Sequence, residues 1–373
     1  MHHGGGNLPT SPGEIWVYLG LSLRFNLTKE RDCPTMAPMS ESSKIQTLMS
    51  MGEIWRLYHD DLVAVEGQIK RSLDSGIPLA NQVAEHILLS GGKRLRPLLM
   101  ILVTRLCGHS GPESTLLAGV VEFIHTATLL HDDVIDNAEI RRGKQAARSL
   151  WGNQASILVG DYLYTMALCQ AVALKNQELD ETLAMACRRM SEGEVLQLSL
   201  SGNLNISERE YLTIVEYKTA MLIAATCRLG GIIGEIPLEE KERLTAFGLD
   251  LGIAFQVADD TLDYVADKEK LGKSLGKDLR EGKITLPLLH LLKNCHLPER
   301  MKIEHVIQAE GGILEENLEM ILQLMQDYGS IRYAMEKAQD YVERAKCVLN
   351  HFPDSIHRQA LLTLADYIIA REH

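Results

Sequence analysis

The chain lacks the cysteine spacings that would announce a zinc site or a disulfide framework. Its seven cysteines, at 33, 107, 169, 187, 227, 295 and 347, are odd in number and never stand as C-x-x-C. That scatter fits reduced thiols in the cytoplasm. A basic surplus is missing as well: 38 lysines and arginines face 50 aspartates and glutamates, for a formal net charge of −12. This argues against nucleic acid as the main partner, because phosphate backbones demand extended positive surface. The longest apolar stretch near the start, Ile15 to Leu23, is too short for a bilayer and has no basic segment before it. No transmembrane segment or export signal is expected.

Proline is absent from Glu113 to Ile236, where leucine, alanine, methionine and glutamate dominate. Long helices are the natural result. Residues 116–130 are apolar on most helical sides and predict a buried helix, and Leu244 to Val257 predicts another, ending at an acidic cluster. Glycine-rich breaks at Gly91-Gly92, Gly108 to Pro112, Gly230-Gly231 and Gly272 to Gly276 punctuate the pattern. With no convincing run of alternating strand residues, the expected class is all-α. Residues 1–43 carry Gly4-Gly5-Gly6 and four prolines without a sustained apolar period. They read as a flexible extension or an artefact of start-site choice, leaving 44–373 as one large helical domain.

The most informative feature is a pair of acidic clusters of one shape, Asp132-Asp133-Val134-Ile135-Asp136 and Asp259-Asp260-Thr261-Leu262-Asp263. In a helix the first and last aspartates of each lie one turn apart on one face. Like charges at that spacing cost an isolated helix roughly 0.2–0.5 kcal/mol per pair, so a compensating cation is expected. Hard carboxylate oxygens suit Mg²⁺, which keeps several waters and bridges carboxylates to phosphate oxygens. One such turn is most often a solvated face. Here each follows a strongly apolar run, which puts the carboxylates at a boundary between core and water.

Three basic segments accompany them: Gly91-Gly92-Lys93-Arg94-Leu95-Arg96-Pro97, then Arg141-Arg142-Gly143, then the glycine-broken stretch from Leu271 to Lys283. Arginine forks suit phosphate oxygens and lysine acts as a point charge. Two acidic and three basic sites imply two anionic groups, one held through metal and one directly.

These segments, together with Tyr217-Lys218-Thr219 and Phe255-Gln256, stand in an order that resembles the trans-polyprenyl diphosphate synthases from about Glu53 to the C-terminus. The resemblance implies an isoprenoid-synthase fold with helices around a central cavity, and a cytoplasmic homodimer. It implies that Lys93, Arg96, His125 and Arg142 hold isopentenyl diphosphate. Arg141, Lys218, Lys273 and Lys283 would neutralise an allylic diphosphate such as farnesyl diphosphate. Asp132, Asp136 and Asp259 would bind Mg²⁺, about three ions with substrate present, with Asp133, Asp260 and Asp263 grouped beside them. Thr219 and Gln256 would set oxygens near the allylic cation. Peripheral membrane contact for product release belongs to the same set of expectations.

Within the helix, Val121, His125 and Thr128 fall within about 40° of Asp132 at ~100° per residue, and Phe123 falls about 180° away. With Ala127 and Thr128 both small, the expected product is of medium to long chain, as in octaprenyl or solanesyl diphosphate synthases. Enlarging Ala127 is expected to shorten it. Shorter farnesyl- or geranylgeranyl-type products remain an alternative, and so do two other readings. A non-catalytic partner subunit is disfavoured by the intact second cluster, Lys218 and Arg141. A terpene cyclase is disfavoured because it has no use for Lys93, Arg96 and Arg142.

Overall fold

The stretch without proline does become helix. The computed structural model describes residues 49–265, 276–309 and 313–370, so Lys273 lies outside the described residues. First come α1 (Met51–Leu57), α2 (His59–Ser72), α3 (Pro78–Leu88), α4 (Leu95–Leu106) and α5 (Pro112–Ile135). A short antiparallel pair, β1 (Ile140–Arg141) and β2 (Lys144–Gln145), precedes α6 (Ala147–Val172). Next are α7 (Gln177–Leu200), α8 (Glu208–Val215), a π-helical turn over Glu216–Ala220, α9 (Met221–Ile233) and α10 (Leu238–Leu262). The chain continues through α11 (Lys277–Arg280), α12 (Leu286–Asn294), α13 (Leu297–Gln308), α14 (Glu315–Asp327), α15 (Ser330–Leu349) and α16 (Ile356–Ala370). The fold is all-α.

Its core is α9. Every residue from Met221 to Ile232 is buried, and α4, α5, α7 and α10 pack around it. A helix apolar all round is stable only when surrounded in this way. Each fully buried leucine or isoleucine there contributes about 1.5–3 kcal/mol relative to exposure. Helix α6 is long and apolar enough by composition to cross a membrane, yet here it lies along α5 as a member of the bundle.

Three expectations need correction. Gly230-Gly231 does not break a helix but sits inside α9. A Cβ on Gly230 would stand 2.6 Å from Val103 Cγ1, so the missing side chain lets α9 lie close on α4. The helix expected over Leu244 to Val257 begins earlier, behind Pro237, and ends within the second acidic cluster, as expected. Finally, one hairpin exists. Arg142 and Gly143 have φ of 53° and 74°, the positive values that a two-residue type I′ turn requires.

Candidate active site

Both acidic clusters occupy the last turns of their helices. Asp132 and Asp133 close α5, with Asp136 as its C-cap; Asp259 and Asp260 close α10, with Asp263 as its C-cap. A helix C-terminus is the negative end of the macrodipole, so each carboxylate there costs about 0.3–1 kcal/mol. The two ends converge: Asp132 and Asp259 line one cavity of about 1130 Å³. Burial pushes the Asp132 carboxyl up to about 6; Lys218 opposes the rise, and Glu194 and Asp136 add to it.

The neighbouring aspartates are engaged by the protein. Asp133 is fully buried, and its Oδ1 accepts from Arg141 Nε at 2.7 Å and meets Nη2 at 2.6 Å. Its Oδ2 is buried with no hydrogen-bond partner among the described residues. Asp260 accepts from Tyr211 Oη at 2.6 Å and from Gln256 Nε2 at 2.6 Å, and burial, with Asp278 next, pushes it up to about 8. Asp263 accepts from the Asp278 N–H at 2.9 Å and thereby fixes the start of α11. These three, grouped on sequence with the expected metal ligands, do not line the cavity, and neither do Asp136, expected as a ligand, and Lys283, expected at the allylic diphosphate. Adjacent helical residues point about 100° apart, so one member of each Asp-Asp pair faces inward.

Asp136 meets Lys283 Nζ at 3.1 Å, and the same ammonium lies 2.8 Å from Glu281 and 4.0 Å from Asp278. Burial pulls the Lys283 pKa down, but Asp136 and its acidic neighbours outweigh that and raise it. Because Asp263 holds α11 and Lys283 reaches Asp136, the segment after the second cluster is tied to the first.

The cationic end of the cavity is built by the hairpin and by the turn before α4. Lys93, Arg94, Arg96, Arg141, Arg142 and His125 all line it. Arg142 donates to the Gly91 carbonyl, its Nη1 comes within 2.7 Å of where a Cβ on Gly92 would stand, and the φ of 142° at Gly92 favours glycine there. Arg94, with no assigned role on sequence, pairs with buried Glu122 at 2.6 Å. Burial, then Arg96 and Arg142, holds the His125 pKa well below its usual 6.5. The imidazole is therefore neutral, a hydrogen-bonding group rather than a charge. A histidine NMR titration between about pH 5 and 8 is expected to leave His125 silent, identified by the signal lost in His125→Gln. The sign for stability follows: above pH 6.5 neither state is protonated at this group, and as pH falls below it the unfolded chain gains the proton first, so stability declines.

The third wall is the π turn, which carries Lys218 and Thr219 into the cavity. Such turns recur at functional sites because they re-aim side chains. A Cβ on Gly193 of α7 would stand 2.7 Å from the Lys218 amide nitrogen, and one on Gly252 of α10 would stand 2.5 Å from Ala220 Cα. The turn is thus gripped by backbone contact on both sides. Lys218 Nζ pairs with Glu194 at 2.7 Å. Thr219 Oγ1 donates to Gln256 Oε1 at 2.8 Å, and Gln256 Nε2 continues to Asp260, which fixes the Gln256 amide.

Thr128 and Leu129 line the cavity, whereas Ala127 is fully buried away from it; the expectation placed on Ala127 passes to its neighbour. His131, given no role on sequence, lines the cavity and meets Asp161 at 3.3 Å. Glu122, Glu194, Tyr211 and Asp278 were likewise passed over, since nothing in spacing marks a partner many residues away. The donor set fits a hard divalent ion: Asp132 and Asp259 set carboxylates on two walls of one cavity. Among the described residues no three acidic, histidine or cysteine groups already form a cage, which suits an ion that shares its shell with water and substrate oxygens.

Carboxylate walls, a cationic end and a buried helical shell define a class, the all-α enzymes that act on diphosphates. The profile of the polyprenyl synthetase family matches residues 77–325, and the chain belongs to that family. It is 39% identical to octaprenyl diphosphate synthase of Escherichia coli K12 over 87% of this chain and 100% of the relative. It is 36% identical to the geranyl-diphosphate-specific all-trans-nonaprenyl-diphosphate synthase of Rhodobacter capsulatus, over 83% of this chain and 95% of the relative. The structure of polyprenyl synthase from Caulobacter crescentus CB15, complexed with calcium and isoprenyl diphosphate, superposes with a TM-score of 0.83. It is 40% identical and covers 87% of this chain and 99% of its own. The protein is a chain-elongating trans-prenyltransferase.

Proposed function

We propose that this enzyme adds isopentenyl diphosphate repeatedly to an allylic diphosphate such as farnesyl diphosphate, with Mg²⁺ required. Its product is an all-trans polyprenyl diphosphate of about C40, a precursor of a quinone side chain. The observation that carries the reading is that Asp132 and Asp259 share one cavity with Lys93, Arg96, His125 and Arg142. Two relatives, an octaprenyl and a nonaprenyl diphosphate synthase, support a long product, while others are named for shorter ones.

The allylic diphosphate lies between Asp132 and Asp259, with Asp136 beside the first wall. Bound Mg²⁺ would neutralise the departing diphosphate where its charge grows. Lys218, Arg141 and Lys283 add positive charge around the same anion, while Lys93, Arg96 and Arg142 hold isopentenyl diphosphate with neutral His125 as hydrogen-bond partner. Thr219, its proton committed to Gln256, turns its lone pairs toward the allylic cation. The double bond of isopentenyl diphosphate attacks that cation, a step that requires water to be kept away. The released diphosphate takes the proton, so no protein nucleophile is needed.

Incubation with farnesyl diphosphate, labelled isopentenyl diphosphate and Mg²⁺ is expected to yield labelled lipid of about eight isoprene units, abolished by a chelator. Product no longer than the starter would overturn the reading. Replacing Thr128 with tyrosine is expected to shorten the product, and an unchanged distribution would remove Thr128 from the hydrocarbon path. A homodimer is proposed as well, supported by Leu158, Val172 and Leu198, which stand exposed on α6 and α7. The free cysteines among the described residues agree with a cytoplasmic setting.

A further inference from the structure

We infer that Tyr367, on the last helix, is a positioning residue for the diphosphate held at Lys93; the inference rests on the function proposed above. The Lys93 ammonium lies 5.3 Å from the centroid of the Tyr367 ring. Lys93 lines the cavity and Tyr367 does not.

Three of the cavity's other cations are held by carboxylates. Lys218 meets Glu194 at 2.7 Å, Arg94 meets Glu122 at 2.6 Å and Arg141 meets Asp133 at 2.6 Å. A carboxylate orients a cation but cancels its charge and occupies its N–H donors. An aromatic face attracts the ammonium through its quadrupole and leaves the formal charge and the donors available. Among the described residues no carboxylate pairs with Lys93.

Lys93 needs such support. It follows Gly91 and Gly92, whose φ values of 87° and 142° lie outside any helix, and it stands two residues before Leu95, the first residue of α4. A lysine there keeps most of its rotamer freedom, which an incoming anion must otherwise remove. Tyr367, by contrast, is fixed. Leu364 and Ile368 beside it on α16 are buried, α16 packs on α4 and α15, and Asp366 pairs with Lys346 at 2.9 Å. The ring thus transmits the placement of the C-terminal helix to the cation that receives the substrate.

The test is calorimetric binding of isopentenyl diphosphate to the full chain, beside steady-state kinetics. Tyr367→Leu removes the π face and keeps apolar bulk; Tyr367→Phe keeps the face. The dissociation constant and KM for isopentenyl diphosphate are expected to rise about fivefold in Tyr367→Leu and to change less than about twofold in Tyr367→Phe. The KM for the allylic substrate and kcat should hold. In a Lys93→Ala background, Tyr367→Leu should add nothing. Equal behaviour of the Leu and Phe variants, or a further loss from Tyr367→Leu in the Lys93→Ala background as structural damage would give, overturns the inference alone. A wild type that binds no isopentenyl diphosphate overturns it together with the proposed function.

Discussion

Replacing Asp132 or Asp259 with alanine is expected to lower turnover by about a thousandfold or more and to leave the helix content unchanged. The size follows from the reaction: ionisation of an allylic diphosphate separates full charges, and only interactions that strengthen with that separation accelerate it. Asp132 and Asp259 stand on different walls of one cavity, so either loss leaves the anion gripped from one side. Neither change should harm the fold. Both carboxylates lie at the negative ends of their helices, and burial has pushed Asp132 up to about 6 against the pull of Lys218; removing it relieves strain. Steady-state turnover with circular dichroism checks this. Unchanged turnover in either variant would take that residue out of the metal site.

The second large effect is structural. Gly252→Val is expected to cost about 3 kcal/mol of stability and most of the activity. A Cβ at this position would stand 2.5 Å from Ala220 Cα and 2.7 Å from its Cβ. Backbone cannot yield as a long side chain can, so the π turn must move, and Thr219 moves with it away from Gln256. Gly67→Ala gives the contrast. There the nearest atom is Arg71 Nη1 at 3.3 Å, the far end of a flexible side chain, and a helix-interior alanine should add about 0.5–1 kcal/mol. Urea denaturation of the two variants checks both signs. A wild-type midpoint for Gly252→Val would show that the close approach is not required.

The acidic clusters were legible because helical spacing alone puts Asp132 and Asp136 one turn apart. Which aspartate of each pair faces the cavity was not legible, since tertiary packing sets the rotation of a helix. Asp133 and Asp132 differ by one position, yet one is locked to Arg141 and the other lines the cavity. The same one-residue step separates Ala127, the position expected on sequence, from Thr128, which lines the cavity. Glycines misled for a related reason: at Gly230 the residue serves contact with Val103 inside a helix, and composition cannot separate that from a chain break. The Arg94–Glu122 pair spans elements distant in sequence, and the π turn at Glu216–Ala220 reflects the grip of Gly193 and Gly252 rather than any local propensity. Hydrophobic period thus fixes which helices form, and close packing between them fixes which atoms meet the substrate.

The most direct test of the central claim is calorimetric titration of the wild-type protein with an unreactive thio analogue of an allylic diphosphate, with Mg²⁺ and with a chelator in its place. Tight binding is expected only with Mg²⁺, and it should vanish in Asp132→Asn and in Asp259→Asn. Equal affinity in the presence of the chelator, or full affinity in both variants, would contradict a diphosphate gripped by two carboxylate walls through a shared ion.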